Sequence, residues 1–312
     1  APFRRIIESQ IYAQYPQDEI FEGADYVDEA IADMHKRAWA LWGTEFKLTK
    51  EDAYPIKTYT DYGLDKAVGS TEENERIDPI TPMLEWMGGI GPNEQVWFQI
   101  VLRVSKWTYK EGGLFGGHVD YRDKTKKVLE EMKKKFEPSE GDQFKRLAMT
   151  EEDKQAMAAI TRTLSKQGFD CGIRAIYLSP KDNFDGMNIT GLTGIMKQYN
   201  SFTLNGFAPE NTTDFAYPWQ DPSGVKKVQK KREMLDAYAQ RSWFYPPYVR
   251  PHFVLTSEEL ATIFHFPGRV SETPSLGRIE SNKLESSTIL PISFMSYFSS
   301  HLSVNKIFGY HY

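Results

Sequence analysis

The residues able to do chemistry are few, and their spacing argues against the commoner reaction classes. A phosphate-binding loop needs glycine amides followed by Lys and then Ser or Thr, because the backbone cradles the phosphates while the lysine neutralises them. The chain has no Gly-Lys pair, and Gly112, Gly113, Gly116 and Gly117 sit in a stretch without that lysine. The histidines are His35, His118, His252, His265, His301 and His311, with no pair four apart and no His-Glu-x-x-His. A helical metal site is therefore not encoded locally. His252 and His265 flank a short capped helix and are the pair that folding would most easily unite; packing or surface roles are the plainer expectation for both. Cys171, the single cysteine, opens a strand beside Gly172 with nothing nearby to lower its pKa, so it reads as a small buried side chain. No cofactor is expected.

Carboxylates offer a different reading. Asp182 and Asp185 follow a strand, while Asp214 and Asp221 bracket Phe215, Tyr217 and Trp219. Glycoside hydrolysis asks for two acids about 5 to 10 Å apart in space, so a glycan-binding or glycan-hydrolysing cleft using Asp214, Trp219 and Asp221 is one interpretation. A loop packed on a sheet is the preferred one, since Pro218 and Pro222 lie within the cluster. Immediately after it, Lys226, Lys227, Lys230, Lys231 and Arg232 stud an amphipathic helix whose apolar side carries Val225, Val228, Leu235 and Tyr238. Such a run meets an acidic partner or a nucleic-acid backbone, or is a solvated helix face. The proline-braced aromatics at 215–219 and 243–248 (WFYPPY) make Trp219, Trp243, Tyr245 and Tyr248 the candidate protein-contact residues, because prolines hold rings in place at low entropic cost. On this reading Trp243→Ala and Tyr245→Ala weaken self-association without unfolding the chain.

The elements that position these residues are legible from caps and periodicity. Thr256 lies three residues before Glu259, a capping-box spacing, and Leu260, Ile263 and Phe264 follow at helical intervals until Pro267-Gly268. Phe253 to Leu255 ends a buried strand. Thr150 with Asp153 opens a helix carrying Met157, Ile160 and Leu164 inward, and Ile173 to Leu178 is the strand after it. Asp78-Pro79 opens another helix with Ile80, Met83, Leu84 and Met87, and Val96 to Leu102, apolar on both sides, reads as a central strand. Asn188 starts a helix over 188–199. Residues 61–76 are a polar loop. Repeated helix–turn–strand units imply an α+β fold, two ferredoxin-like α/β-sandwich halves joined by a charged helical connector. The expected division is 1–108 and 147–285, with 109–146 as an exposed arm and 286–312 as an atypical tail.

A formal charge of -5 and a pI near 5.8 supply no global basic field, so weak or no direct nucleic-acid binding is expected. The lone cysteine fits a cytoplasmic address. From Ser286 to Asn305 the run is apolar in part but too rich in serine for a membrane span. No signal peptide is legible.

The segment RPHFVLTSEELATIFHFPGR from Arg250, with SLGRIESNK after it, resembles a stretch in large bacterial proteins related to the type IV secretion and conjugation DNA-transfer ATPases of small-genome lineages. ESQIYAQYPQDEIFE from Glu8, WALWGTEFKL from Trp39, IGPNEQVWFQIVLR from Ile90, IRAIYLSPKDNF from Ile173 and TTDFAYPWQD from Thr212 extend the resemblance over about residues 4 to 285. It implies a non-catalytic N-terminal assembly domain with its motor module absent. Its partners would be proteins or further copies of itself, and its place cytoplasmic or peripheral to an inner-membrane complex.

Overall fold

The computed structural model describes residues 3–16, 19–65, 78–105, 109–110, 118–136 and 149–266. Gly112 to Gly117, most of the polar loop at 61–76, the SLGRIESNK segment and the 286–312 tail lie outside the described residues.

The architecture is α+β. Five antiparallel strands make the main sheet, with the order β2 (Gln95–Val104), β5 (Gly168–Pro180), β1 (Trp39–Leu48), β6 (Phe207–Glu210), while β7 (Phe253–Thr256) adds to β5. Along one side β5 pairs with β2 from Phe169 to Leu178; along the other it pairs first with β7 at 168–171 and then with β1 at 173–180. Two strands thus share one edge of β5, end to end. A separate ladder joins β3 (Tyr109–Lys110) to β4 (His118–Val119).

This order differs from two ferredoxin-like halves. β5 belongs to the stretch 147–285, yet it lies between β1 and β2, both from 1–108. The expected boundary therefore does not separate two sheets. β2 is also an edge strand rather than a central one among the described residues. It is apolar on both sides because helices cover both faces of the sheet, and Leu102 and Val104 run out exposed at its end.

On one face, Phe98 of β2, Ile173, Ala175 and Tyr177 of β5 and Phe46 of β1 meet α3 (Thr81–Gly88), α6 (Met187–Met196) and α8 (Ser257–Ile263) through Met83, Leu192, Met196 and Ile263. On the other, Trp97, Ile176, Leu178 and Leu41 meet α2 (Tyr26–Met34) and α7 (Val225–Ala239) through Val27, Ala30, Met234 and Tyr238. Period-two alternation on β2 and β5 sends successive side chains into these two cores. Two further helices, α4 (Tyr121–Phe136) and α5 (Glu151–Thr163), pack together, and Tyr121 anchors α4 by donating to Lys166 O at 2.6 Å. Tyr121, Thr125 and Leu129 are buried, so the charged helix of the connector is docked on one side rather than fully exposed. A short N-terminal helix, α1 (Arg4–Gln14), completes the set. No helix among the described residues is long and apolar enough to cross a membrane.

The capping box at α8 forms as its spacing requires, with Thr256 N and Oγ1 both donating to Glu259 Oε2. Glu259 also reaches across the chain: Ile56 N donates to its Oε1 at 3.0 Å, and Tyr59 N donates to Thr262 Oγ1 at 3.1 Å. Beyond the helix, His265 bridges Ala261 O at 2.8 Å and Asp78 Oδ1 at 2.7 Å. A carbonyl and a carboxylate can only accept, so both ring nitrogens donate and the imidazole is held protonated. The seven-residue α8 thereby fastens the 56–59 segment and the start of α3.

Burial pushes the Glu259 carboxyl up to about 7 against its three donors, and pushes neighbouring Asp52 up to about 7 against the Val254 backbone contact and Lys124. For His265, burial opposes the charged form, but Asp78 wins and raises it. A carboxyl held above its unfolded value makes stability fall as pH climbs from the ordinary carboxylate range to its folded value. A histidine held above its unfolded value contributes fully below it and loses that contribution as pH rises through the folded value. The signs agree. Urea midpoints are expected to be higher near pH 5.5 than near pH 8, with a shallower slope in Glu259→Gln; a midpoint that rises with pH overturns this assignment.

Candidate functional site

α7 organises the surface that carries most of the candidate residues. Gly224 precedes it with φ of 71°, a left-handed conformation that glycine adopts without Cβ strain. Asp221 accepts from Lys226 N at 3.3 Å and Lys227 N at 2.8 Å, closing the helix N-terminus. Desolvation works against the Asp221 carboxylate, but these two amides, with Ser223 and the Lys226 charge, together hold it below its ordinary range. The buried side of α7 carries Met234, Ala237 and Tyr238. Tyr238 OH meets Tyr26 OH of α2 at 2.8 Å, Trp97 packs against both rings, and Arg241 pairs with Asp25 at 2.9 Å. α2 and α7 are thereby locked side by side.

Much of the basic run is occupied. Lys227 pairs with Asp214 at 2.6 Å, Lys230 donates to Thr212 O at 2.9 Å while lying over the Phe215 ring, and Lys226 donates to Gln220 O. Lys231 is partly buried and its ammonium is pushed down by that burial and by Lys227. Neither Lys231 nor Arg232 makes such a contact among the described residues, and of the two Arg232 stands exposed. Asp214 and Asp221, the acids of the glycan reading, are the other halves of these contacts, so both carboxylates are committed to holding the 212–221 loop on α7. Tyr217 and Trp219 project from that loop as an exposed stacked pair, ring centroids 4.5 Å apart.

Trp243 is not a surface residue. It is 2% exposed, its indole lies where a Cβ on Gly172 would come within 2.0 Å, and its Nε1 donates to Pro251 O. The Arg174 guanidinium sits 4.6 Å from the ring centroid and donates to Ser242 O at 2.6 Å. Arg174 is fully buried in the middle of β5, with Glu45 Oε1 at 3.9 Å and Arg250 reaching that same oxygen at 3.5 Å. Burial pushes Arg174 down to about 10 although Glu45 opposes it. Next to this cluster Asp170 pairs with Arg103 at 2.8 Å and faces His252 at 3.7 Å, while Arg103 also covers Phe244. The signal missed in the sequence was the glycine at 172, which makes room for an indole.

The WFYPPY loop divides accordingly. Trp243 is core, Tyr245 is 68% exposed, and Tyr248 donates to Asp236 of α7 beyond a cis Pro246–Pro247 bond. Between α2 and α7 runs an open groove of about 910 Å³, lined by Ile31, Val225, Val228, Leu235 and Ala239 and bordered by Arg232, Glu233, Asp236 and Tyr248. Val225 and Val228 are respectively 64% and 60% exposed on it.

No nucleophile is assembled elsewhere among the candidates. The Cys171 thiol is fully buried and burial pushes it up, away from the thiolate. His252 and His265 take different carboxylates, Asp170 and Asp78. Asp185 Oδ1 accepts from Met187 N at the start of α6, while Asn188 donates to Glu94 and Tyr177 rather than capping that helix. Asp182 sits on a 3-10 turn. Among the described residues no three His, Cys, Asp or Glu side chains are grouped to hold a metal ion.

The class these features define is an α+β fold around a five-stranded antiparallel sheet, with an apolar groove beside a proline-braced aromatic loop. The chain belongs to the family described as domain of unknown function (DUF8128), whose model matches residues 3–278. No curated protein and no solved structure matches it.

Because Trp243 fills space against β5, Trp243→Ala should cost about 3 to 5 kcal/mol, read as a lowered urea midpoint, whereas Tyr245→Ala should leave the midpoint unchanged. Equal midpoints for both variants would contradict the burial described.

Proposed function

We propose that this chain is a non-catalytic assembly domain that takes a protein partner in the groove between α2 and α7. The observation that carries the reading is the pair Val225 and Val228, two exposed β-branched side chains one turn apart over an apolar floor, on a helix whose opposite side is fully engaged in the core. Exposed apolar ground rimmed by polar groups is the usual mark of a protein contact. Tyr248 and Arg232 border it, and Tyr and Arg are enriched among residues that dominate binding energy. The occupied lysines of α7 favour this reading over one in which the basic run grips a nucleic acid.

The resemblance to the N-terminal region of type IV secretion and conjugation DNA-transfer ATPases supports the same direction. On that reading the contact holds subunits or a membrane-channel component of a DNA-transfer machine together, on the cytoplasmic side and peripheral to the inner membrane. It is a proposal resting on the sequence segments that carry the resemblance.

A photoreactive residue placed at 228 is expected to cross-link to polypeptide in cells expressing the chain, and the same residue at Thr161 on α5 is not. Adding Val225→Asp should reduce the adduct roughly tenfold, the effect of about 1.4 kcal/mol lost from a contact. Absence of any polypeptide adduct from 228 removes the reading.

A further inference from the structure

The main sheet closes its edge at β6 and along β7 but leaves β2 open. On β6 the residues turned away from β1 are Phe207 and Pro209. The Asn200 amide accepts from Phe207 N at 2.7 Å and donates to Phe207 O at 3.1 Å, while Pro209 has no N–H to offer. On β7 the residues turned away from β5 are Val254 and Thr256. Asp52 takes the Val254 backbone and Glu259 accepts from Thr256 N.

β2 has no such cover. Its register on β5 is unbroken from Gln95 to Val104, and Ser105 N continues it by donating to Gly168 O at 3.5 Å. Bonded positions alternate along an antiparallel pair, so the odd-numbered residues bond β5, and Val96, Phe98, Ile100, Leu102 and Val104 turn their N–H and C=O outward. Among the described residues no hydrogen bond reaches these groups. Val96 and Phe98 are buried, but from Ile100 the strand comes into the open, with Leu102 46% and Val104 53% exposed. The usual guards of an edge are also missing. The strand has no bulge and no proline, and its one charge, Arg103, lies on the other face against Asp170.

We infer that this edge pairs with the same edge of a second copy of the chain, antiparallel about a two-fold axis at Leu102. Leu102 then bonds Leu102 of the second copy, and Ile100 bonds Val104 of the second copy, each such pair exchanging both N–H···O bonds. A foreign strand could bond the same backbone, but the side chains complement their own copy: the facing residues on the exposed side are all aliphatic, and Arg103 lies opposite Val101. Centring the pair on Arg103 instead would set two guanidiniums against each other. Centring it on Val101 would press Val104 onto Phe98, which is 2% exposed. The mode is strand addition, and a two-fold contact uses up the edge, so assembly stops at a dimer whose sheet runs through both copies. The contact uses a different surface from the α2–α7 groove, and neither depends on the other.

The native cysteine, Cys171, is the only one and is fully buried, so introduced thiols report the contact cleanly. With a short thiol cross-linker, Leu102→Cys is expected to give covalent dimer, and Thr161→Cys on α5 is not. Ile100→Cys mixed with Val104→Cys should cross-link more than either alone. In sedimentation velocity over a concentration series, the unmodified chain should form dimers and stop there, and Leu102→Lys should weaken self-association at least about tenfold. Leu102→Pro should do the same with the sheet intact, since the N–H it removes is not given to β5. Val228→Asp, in the groove, should leave the dimer in place. The inference is overturned by a monomeric unmodified chain, by a dimer that survives Leu102→Lys but dissolves in Val228→Asp, or by an adduct at 102 no more abundant than at 161. An adduct in cells joining position 102 to a different polypeptide, in place of a second copy, overturns it as well.

Discussion

Trp243 can lie flat on the sheet because residue 172 has no side chain. A Cβ there would stand 2.0 Å from the indole, so the approach of ring to backbone is available to glycine alone. From that contact the neighbouring arrangement follows. The indole closes over Arg174, its Nε1 donates to Pro251 O, and the Trp243 backbone carbonyl accepts from Arg250 N. The 241–252 segment is thereby pulled across β5, which brings Arg250 beside Glu45 and His252 beside Asp170. The turn into β7 is delivered to the edge of β5 that β1 leaves unpaired.

The two faces of the sheet are unequal in consequence. The face toward α3, α6 and α8 carries no charged strand side chain, whereas the opposite face is apolar under α2 and α7 and charged under the 241–252 segment. A guanidinium buried at Arg174 is poor evidence of stability, since desolvation offsets the attraction of its partner. Its contribution is positional: with Glu45 and Ser242 as its partners, the covering segment has one seating in which the charge is accommodated. α7 inherits its orientation from the same region, through Gln99 to Tyr238 O and Arg241 to Asp25, and so does the groove along its outer side.

Local signals in the chain proved reliable where their partners were also local. Thr150 with Asp153 and Thr256 with Glu259 cap α5 and α8 at the spacing read from the residues alone, because a capping box closes within four consecutive residues and needs nothing else. The apolar positions of β5, the α+β class and the buried character of Cys171 were legible because periodicity reports which side of an element faces inward; on α7 it misled, since Val225 and Val228, read with Leu235 and Tyr238 as the apolar side, stand exposed and Met234 and Ala237 are buried with Tyr238 instead. Strand order was not. β5 reaches its neighbours across long intervals of sequence, and helix-then-strand units recur equally well in two small sandwiches or in one interleaved sheet.

The candidate surface divides along the same line. That residues 225–239 form an amphipathic helix with cations beside an aromatic loop is written in their order. Whether each ring or charge is free to meet a partner depends on contacts the order does not contain. Trp243 is withdrawn into the core by a glycine on another strand, and Lys227 and Lys230 are spent on Asp214 and Thr212, while Val225 and Val228 remain outside. Composition and spacing say which residues could interact; exposure is a property of the packed whole, because burying one side of a helix is what selects the other.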